Sequence, residues 1–176
     1  TQWFKDDGDC ILLIGRNGDD LGASEYLIVI HGETRGRVPE INLEFEKSVQ
    51  AALLTAIQRG VIKSAHDTSD GGLAIALAEC CISNQETPRG ANITLDDSLR
   101  ADALLFGETQ SRVIVTCDPT NVGMVKKIFE DAKVPVAQIG TVGGDKFTIN
   151  KLVSVPLTSL ADAFYHAMPH FMERVG

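Results

Sequence analysis

Residues 62–82 read IKSAHDTSDGGLAIALAECCI and combine a strand-like segment, a polar loop and a long apolar segment. Residues 62–65 are short and compatible with a β-strand. Residues 66–72 are rich in turn-forming residues and are predicted to be irregular. Residues 73–82 are apolar on almost every side, which is typical of a helix buried all round. This strand, loop and helix are predicted to form the central unit of the fold.

Regular elements are also predicted upstream of this unit. Residues 10–15, CILLIG, form a short apolar run that leads to the turn signal Asn17-Gly18, which favours a buried strand. Residues 42–59 repeat apolar side chains at helical spacing behind the capping residue Asn42. Gly60 is expected to stop this amphipathic helix.

Strands and helices continue to alternate downstream. Residues 91–95 and 113–117 have the composition of strands, and residues 121–132 place apolar side chains on one helical face. Three or four helices are thus interleaved with about six strands. We therefore expect an α+β fold in which helices cover a mixed β-sheet.

The last part of the chain contains a hairpin signal and a helix signal. Residues 136–142 and 147–155 flank Gly143-Gly144-Asp145, which predicts a β-hairpin. Ser159 followed by Asp162 fits a capping box in front of a last helix. Pro169 should end or kink that helix.

Length and composition predict one globular domain. The 176 residues suffice to bury a single core. Residues 1–9, TQWFKDDGD, are mixed and charged and look like a linker from a preceding domain. Residues 10–176 are expected to form a single C-terminal domain. The four cysteines form neither a CxxC pair nor a dense disulfide framework, so reduced and mostly buried thiols are expected.

Charge and hydropathy narrow the class of protein. A net charge of -8, with basic residues scattered singly, argues against a nucleic-acid partner. No apolar run approaches the roughly 20 residues that span a bilayer, and residues 1–9 contain no signal-peptide core, so no membrane partner is expected. The sequence therefore predicts a cytoplasmic protein.

The loop of residues 66–72 carries two carboxylates, two hydroxyls and an imidazole in front of a helix. Backbone amides at a helix N-terminus bind oxyanions, and Gly71 and Gly72 would leave them open to a phosphate or carboxylate. The alternative is that Asp70 or Ser69 caps the helix while the glycines make a tight turn. The spacing alone favours neither.

Two other roles are open for the same loop. Asp67 and Asp70 could hold Mg²⁺ through carboxylate oxygens, although no third acidic residue lies nearby in sequence. His66 could act as a general base or position a substrate. A single histidine at a strand end is more often hydrogen-bonded scaffold.

Two further polar segments accompany the loop. Residues 106–112, FGETQSR, precede a strand and could line a site or form an exposed turn. Residues 21–26, LGASEY, could begin a short helix capped by Ser24.

These three segments together resemble the last domain of the formylglycinamide ribonucleotide amidotransferases. The similar stretches are LGASEY, SAHDTSDGGLAIALAE and DALLFGETQSRVIV, and the likeness runs over nearly the whole chain. The second stretch is the most specific. Ala23 departs from the glycine usual in LGGSEY. The superfamily, which includes aminoimidazole ribonucleotide synthetase, pairs an ATP-binding domain with a second α+β domain, and this chain is similar to the second kind.

The resemblance implies a part in purine biosynthesis. The complete enzyme would use ATP and Mg²⁺ to activate the amide oxygen of formylglycinamide ribonucleotide, and ammonia from a glutaminase component would replace it. Partners would be the preceding ATP-binding domains, since nothing here resembles them, and the isolated chain would be inactive. The motif matches imply a substrate- or phosphate-binding set of Ser24, His66, Asp67, Ser69, Asp70, Gly71, Gly72, Glu108, Gln110, Ser111 and Arg112.

Three hypotheses follow from the residues and the resemblance. The first is a domain of an ATP-dependent ligase. The second is a stand-alone module that binds a phosphorylated metabolite or nucleotide without chemistry. The third is a domain kept as scaffold in a duplicated enzyme.

Overall fold

The computed structural model of the chain describes residues 1–167 and residue 172. Its strands form one central sheet, and its helices cover that sheet. In chain order they are β1 (Cys10–Ile14), α1 (Glu25–His31), α2 (Leu43–Gln58), β2 (Ser64–Asp67), α3 (Gly72–Ile82), β3 (Ala91–Ile93), α4 (Ala101–Phe106), β4 (Val113–Cys117), a 3₁₀ turn (Pro119–Asn121), α5 (Val122–Asp131), β5 (Val136–Val142), β6 (Lys146–Ile149), β7 (Val153–Pro156) and α6 (Leu157–Tyr165).

The described strands form one seven-stranded sheet in the order β2-β4-β1-β5-β3-β6-β7. Neighbours pair antiparallel except β3 and β6, which are parallel. The side chains of β1 alternate between two cores. Ile11 and Leu13 pack with α3, α4 and α6, whereas Leu12 and Ile14 pack with α2 and α5. The expected α+β fold, a mixed sheet covered by helices, is confirmed.

The predicted helix behind Asn42 is confirmed in detail. Asn42 Oδ1 accepts a hydrogen bond from Phe45 N at 3.0 Å, which caps α2. Val49, Ala52 and Ala56 are buried against the sheet. Helical spacing of apolar residues therefore identified both the element and its inner face.

The predicted irregular loop begins two residues later than expected. His66 and Asp67 belong to β2, where they lie opposite Ile114 and Val113 of β4. Pairing with a neighbouring strand outweighs the low strand propensity of this polar pair. The irregular part is therefore residues 68–71.

The predicted hairpin of residues 136–142 and 147–155 is wrong. The second segment is divided into β6 and β7, which pair with each other. Asn150 makes the turn, with φ +48°, and its side chain bonds to both the N–H and the carbonyl of Leu95. Strand β3 lies between β5 and β6, so those two strands do not pair.

The predicted capping box of the last helix is also wrong. Helix α6 begins at Leu157 behind Pro156, so Ser159 lies inside it. Leu157 is buried, and its N–H donates to the carbonyl of Asp145, which fixes the helix start. The predicted end or kink of this helix at Pro169 falls outside the described residues.

Residues 1–9, predicted to be a linker, pack on the domain. Phe4 is buried and its N–H donates to the carbonyl of Cys80 in α3. Lys63 Nζ contacts Asp6 at 2.8 Å and the buried Asp9 at 2.6 Å. Attachment of this segment to a preceding domain remains a prediction.

Two general properties complete the description. All four cysteines are buried and unpaired. Within residues 1–167, no helix combines the length and apolarity needed to cross a bilayer.

Candidate functional site

The three polar segments singled out in the sequence meet at one end of α3. The aspartate loop is residues 66–72, the glutamate loop is residues 107–112, and the third segment is the start of α1. Glu108 Oε1 accepts hydrogen bonds from the backbone N–H of Gly71 and of Glu25, each at 2.9 Å. One carboxylate oxygen therefore joins the starts of α1 and α3.

The start of α3 depends on its two glycines. Gly71 and Gly72 both have positive φ, at 76° and 72°. A Cβ on Gly72 would lie 2.6 Å from the carbonyl oxygen of Gly107, so no larger residue fits there without a shift. The tight turn is confirmed, but no side chain caps the helix. The alternative in which Asp70 or Ser69 is the cap is therefore wrong.

Ser24 is buried and caps α1, as predicted. Its Oγ donates to the carbonyl of Leu21 at 2.7 Å and accepts from Leu27 N at 3.4 Å. Ala23, in place of the glycine expected from the family pattern, has φ +57°. The Ser24 hydroxyl is thus engaged within its own segment, and the acidic Glu25 stands at the exposed helix start.

His66, the first residue of the aspartate loop, is mostly buried. Its Nε2 lies 2.8 Å from Glu79 Oε2 of α3, and its Nδ1 lies 3.6 Å from Asp67 Oδ1. Ser69 Oγ donates to Asp67 Oδ2, and this bond lowers the pKa of Asp67, as does the neighbouring His66. Asp67 is therefore ionised at neutral pH. The imidazole connects the loop to the helix that follows it.

Arg112 holds the glutamate loop from inside. It is 2% exposed, and its guanidinium donates to the carbonyls of Gly107 (2.5 Å) and Thr109 (3.1 Å) and to Asn17 Oδ1 (3.0 Å). Burial lowers its pKa to about 10, so the group stays charged at neutral pH. These bonds turn the guanidinium towards backbone carbonyls.

The remaining candidate side chains face solvent to different degrees. Ser69, Asp70 and Gln110 are exposed, and Ser111 is half-buried with φ +61°. Gln110 Nε2 donates to the carbonyl of Glu108 at 3.1 Å. Asp70 forms no hydrogen bond or ion pair with any described residue, so its carboxylate is the most available acceptor of the site.

The donor set does not fit a metal ion held by this domain alone. Among residues 1–167 no group of three or more His, Cys, Asp or Glu side chains is arranged to bind one. Asp67 already accepts from Ser69, which leaves Asp70 as a single available carboxylate in the loop. Mg²⁺ usually needs further oxygen ligands or substrate phosphates.

Sequence reasoning did not foresee four residues of this site. Glu79 forms a hydrogen bond with His66, and Asn17 Oδ1 accepts one from Arg112. Tyr26 stacks on Phe106 with ring centroids 5.1 Å apart. Asn17 had been identified only as a turn signal. Spacing along the chain gave no signal for the other two contacts, because each joins side chains of different elements, His66 of β2 with Glu79 of α3 and Tyr26 of α1 with Phe106 of α4.

Comparisons with known proteins place the chain in a family. The model for the C-terminal domain of AIR synthase related proteins matches residues 6–150. Phosphoribosylformylglycinamidine synthase subunit PurL is 38% identical in Anaeromyxobacter sp. (strain Fw109-5) and 39% identical in Caldanaerobacter subterraneus subsp. tengcongensis, in both over 99% of this chain. This chain spans only 24% of the length of each relative.

Solved structures share the fold at low sequence identity. Thermotoga maritima PurL complexed with FGAR superposes with a TM-score of 0.75 at 20% identity, over 90% of this chain and 29% of that one. Escherichia coli HypE, a hydrogenase maturation protein, gives 0.63 at 14% identity, over 89% of this chain and 51% of that one. The family model, which covers most of the chain, is decisive: this chain belongs to the family of C-terminal domains of AIR synthase related proteins.

Proposed function

We propose that this chain is the C-terminal domain of a phosphoribosylformylglycinamidine synthase. The observation that carries the proposal is the junction at Glu108, which consists of the two hydrogen bonds that its carboxylate accepts from Gly71 N and Glu25 N. This junction brings all three family motifs to one face. Identity of 38–39% with PurL subunits over 99% of the chain supports the same assignment. The complete enzyme would be a cytoplasmic, ATP-dependent C–N ligase that aminates formylglycinamide ribonucleotide with ammonia derived from glutamine.

Within that enzyme, this domain would place the substrate rather than transform it. Asp70 and Ser69 are exposed beside the start of α3, and Gln110 and Ser111 lie in the adjacent glutamate loop. Hydroxyl and amide groups at a helix N-terminus can hold a phosphate or ribose. His66 and Arg112 would support the two loops from below.

ATP and Mg²⁺ would be bound mainly by other domains. The aspartate loop offers too few free carboxylates for a metal, as shown above. Structures of Thermotoga maritima PurL complexed with ATP exist, and this chain covers only 26% of that protein. The glutaminase component and the nucleotide-binding domains would therefore be partners, and the chain alone would have no ligase activity.

One observation favours a second candidate, a scaffold domain. The N–H groups of Gly71 and Glu25, which an anion could have used, are already bound by Glu108. A buried or partly buried donor that is satisfied internally gains less from a ligand. In this alternative the junction only holds the domain together.

The distinguishing experiment replaces Asp70 in the whole polypeptide. Because Asp70 is exposed and forms no hydrogen bond or ion pair with the described residues, Asp70→Ala should leave the thermal melt unchanged. Asp145→Ala, in the exposed turn between β5 and β6, is the matched control. We expect release of ADP that depends on formylglycinamide ribonucleotide and ammonia to fall at least about tenfold for Asp70→Ala only, or about 1.4 kcal/mol. Normal turnover of both variants would support the scaffold instead.

A further inference from the structure

A cavity of about 410 Å³ lies against the end of the glutamate loop. Gln110 and Ser111 of that loop line it together with two cations, Arg16 and Lys133. Neither cationic side chain forms an ion pair or a hydrogen bond with any residue in the described part of the chain. The cavity therefore presents two positive charges that are available to a ligand.

Backbone contacts bring these side chains together from three segments that are distant in sequence. Gly15 N donates to the carbonyl of Pro135 at 2.9 Å, which joins the end of β1 to the residue before β5. The carbonyl of Ser111 lies so close to Gly15 that no Cβ would fit there without a shift. Arg16 directly follows Gly15, and Lys133 lies two residues before Pro135. The fold therefore fixes the backbone that carries both cations.

Lys133 occupies a backbone position that favours glycine. Its φ is +58°. Its N–H donates to the carbonyl of Glu130, and Val134 N donates to that of Phe129, each at 2.9 Å. These bonds form a Schellman motif at the end of α5, in which the left-handed residue is usually glycine. Ser111, with φ +61°, is a second non-glycine residue in this region of φ. Strained backbone positions cluster at ligand sites, so a need for these two side chains accounts for both exceptions.

The polar lining of the cavity suits a phosphate group. Arginine binds phosphate through a fork of N–H groups, and lysine binds it as a point charge. The Ser111 hydroxyl has no hydrogen bond to a described residue, and the Gln110 amide uses one of its two N–H groups on the carbonyl of Glu108. Both can therefore donate to an anion. The carboxylate of Glu40, which also lines the cavity, is paired with Arg37 at 3.3 Å.

We propose that this cavity binds the phosphate group of a phosphorylated small molecule. Phe45 and Pro135 line it as well and give the rest of that molecule an apolar surface to pack on. The start of α3 is a poorer phosphate site, because Glu108 already binds the N–H of Gly71. The inference deepens the proposed function and rests on it for the identity of the ligand, which is then formylglycinamide ribonucleotide.

Titration of the 176-residue chain with inorganic phosphate tests the site. Lys133→Gly removes one cation and gives the left-handed position its usual residue, so Tm should stay the same or rise. Arg16→Gln removes the other cation from an exposed position. Lys151→Gln, at an exposed lysine between β6 and β7, is the matched control. We expect the Kd for phosphate to rise at least about tenfold for the first two variants and to stay unchanged for the control.

Backbone amide chemical shifts locate the ion in the same titration. Saturable shifts at Ser111 that Lys133→Gly and Arg16→Gln abolish support the proposal. Absence of saturable binding overturns it, as does an affinity that both substitutions leave unchanged. Shifts centred on Gly71 instead of Ser111 also overturn it, because the ion then binds at the start of α3.

Kinetics of the whole polypeptide separate this inference from the proposed function. Lys133→Gly should raise the KM for formylglycinamide ribonucleotide at least about tenfold and leave kcat unchanged, since the phosphate is bound equally in the substrate and the transition state. An unchanged KM in an active enzyme overturns the identification of the ligand as this substrate. Phosphate binding in a polypeptide without ligase activity supports the cavity while contradicting the proposed function.

Discussion

Removal of the Glu108 carboxylate should loosen the junction of α1 and α3. Its Oε1 accepts from Gly71 N in a half-buried position and from Glu25 N in an exposed one. A hydrogen bond to a charged group contributes about 1.5–3 kcal/mol, and water can replace the exposed partner. We therefore expect Glu108→Ala to lower the free energy of unfolding by about 2 kcal/mol, mostly through Gly71. For a chain of this length, that corresponds to a fall in Tm of about 4–8 °C.

The assay is urea unfolding of the 176-residue chain, combined with hydrogen exchange at the two amides. Glu108→Gln retains an oxygen acceptor and should lose less than half as much stability. Glu86→Ala removes an exposed carboxylate in the loop after α3 and should change stability by less than about 0.5 kcal/mol. If Glu108→Ala is as mild as Glu86→Ala and exchange at Gly71 is unchanged, the carboxylate does not stabilise the junction.

Three substitutions and one labelling experiment test separate parts of the structure. Arg112→Met leaves two carbonyls and an amide oxygen without their donor, so urea unfolding should show a loss of about 3 kcal/mol or more. Gly72→Ala places a methyl group against Gly107 at positive φ, and should cost about 2–4 kcal/mol by the same assay. Burial raises the pKa of Cys81 to about 12 and that of Cys117 to about 11, so a thiol reagent at pH 8 should label no native cysteine until denaturant is added. The pKa of Asp67 is lower in the folded chain than its unfolded value near 3.8. The resulting stabilisation is fully present above the unfolded pKa and is lost as the pH falls through the folded pKa. Asp67→Asn should therefore flatten the decline of Tm between about pH 5 and 3.

Local patterns in the sequence predicted most elements, because they reflect burial. Successive side chains of β1 pack alternately in two cores, so the strand is a continuous apolar run. The helical spacing of apolar residues around Val49 marks the inner face of α2. Helix α4 was missed because its six residues are too few for a periodicity to emerge. Pairing partners were not predictable either. The insertion of β3 between β5 and β6 depends on contacts about 50 residues apart in sequence, such as Ala91 with Phe147.

The site was predictable as a set of segments but not as a set of contacts. The family resemblance implied that Arg112 could bind a ligand, and a sequence does not reveal that three acceptors of its own chain surround the guanidinium. The same limit applies to Glu108, whose two donors lie 37 and 83 residues away. The glycine at position 72 was more informative than these polar residues, because it correctly predicted a tight turn. The close approach of Gly107 leaves no room there for a side chain.

The junction also constrains how a phosphate could bind at the start of α3. A helix N-terminus favours negative charge, and in this chain Glu108 supplies that charge to Gly71. A phosphate that used the same N–H would have to displace the carboxylate, and the two anions would repel each other at contact distance. Asp70 adds a further exposed carboxylate beside Gly71. A substrate phosphate near this loop therefore requires a compensating cation. The guanidinium of Arg112 is committed to the glutamate loop and does not supply that cation.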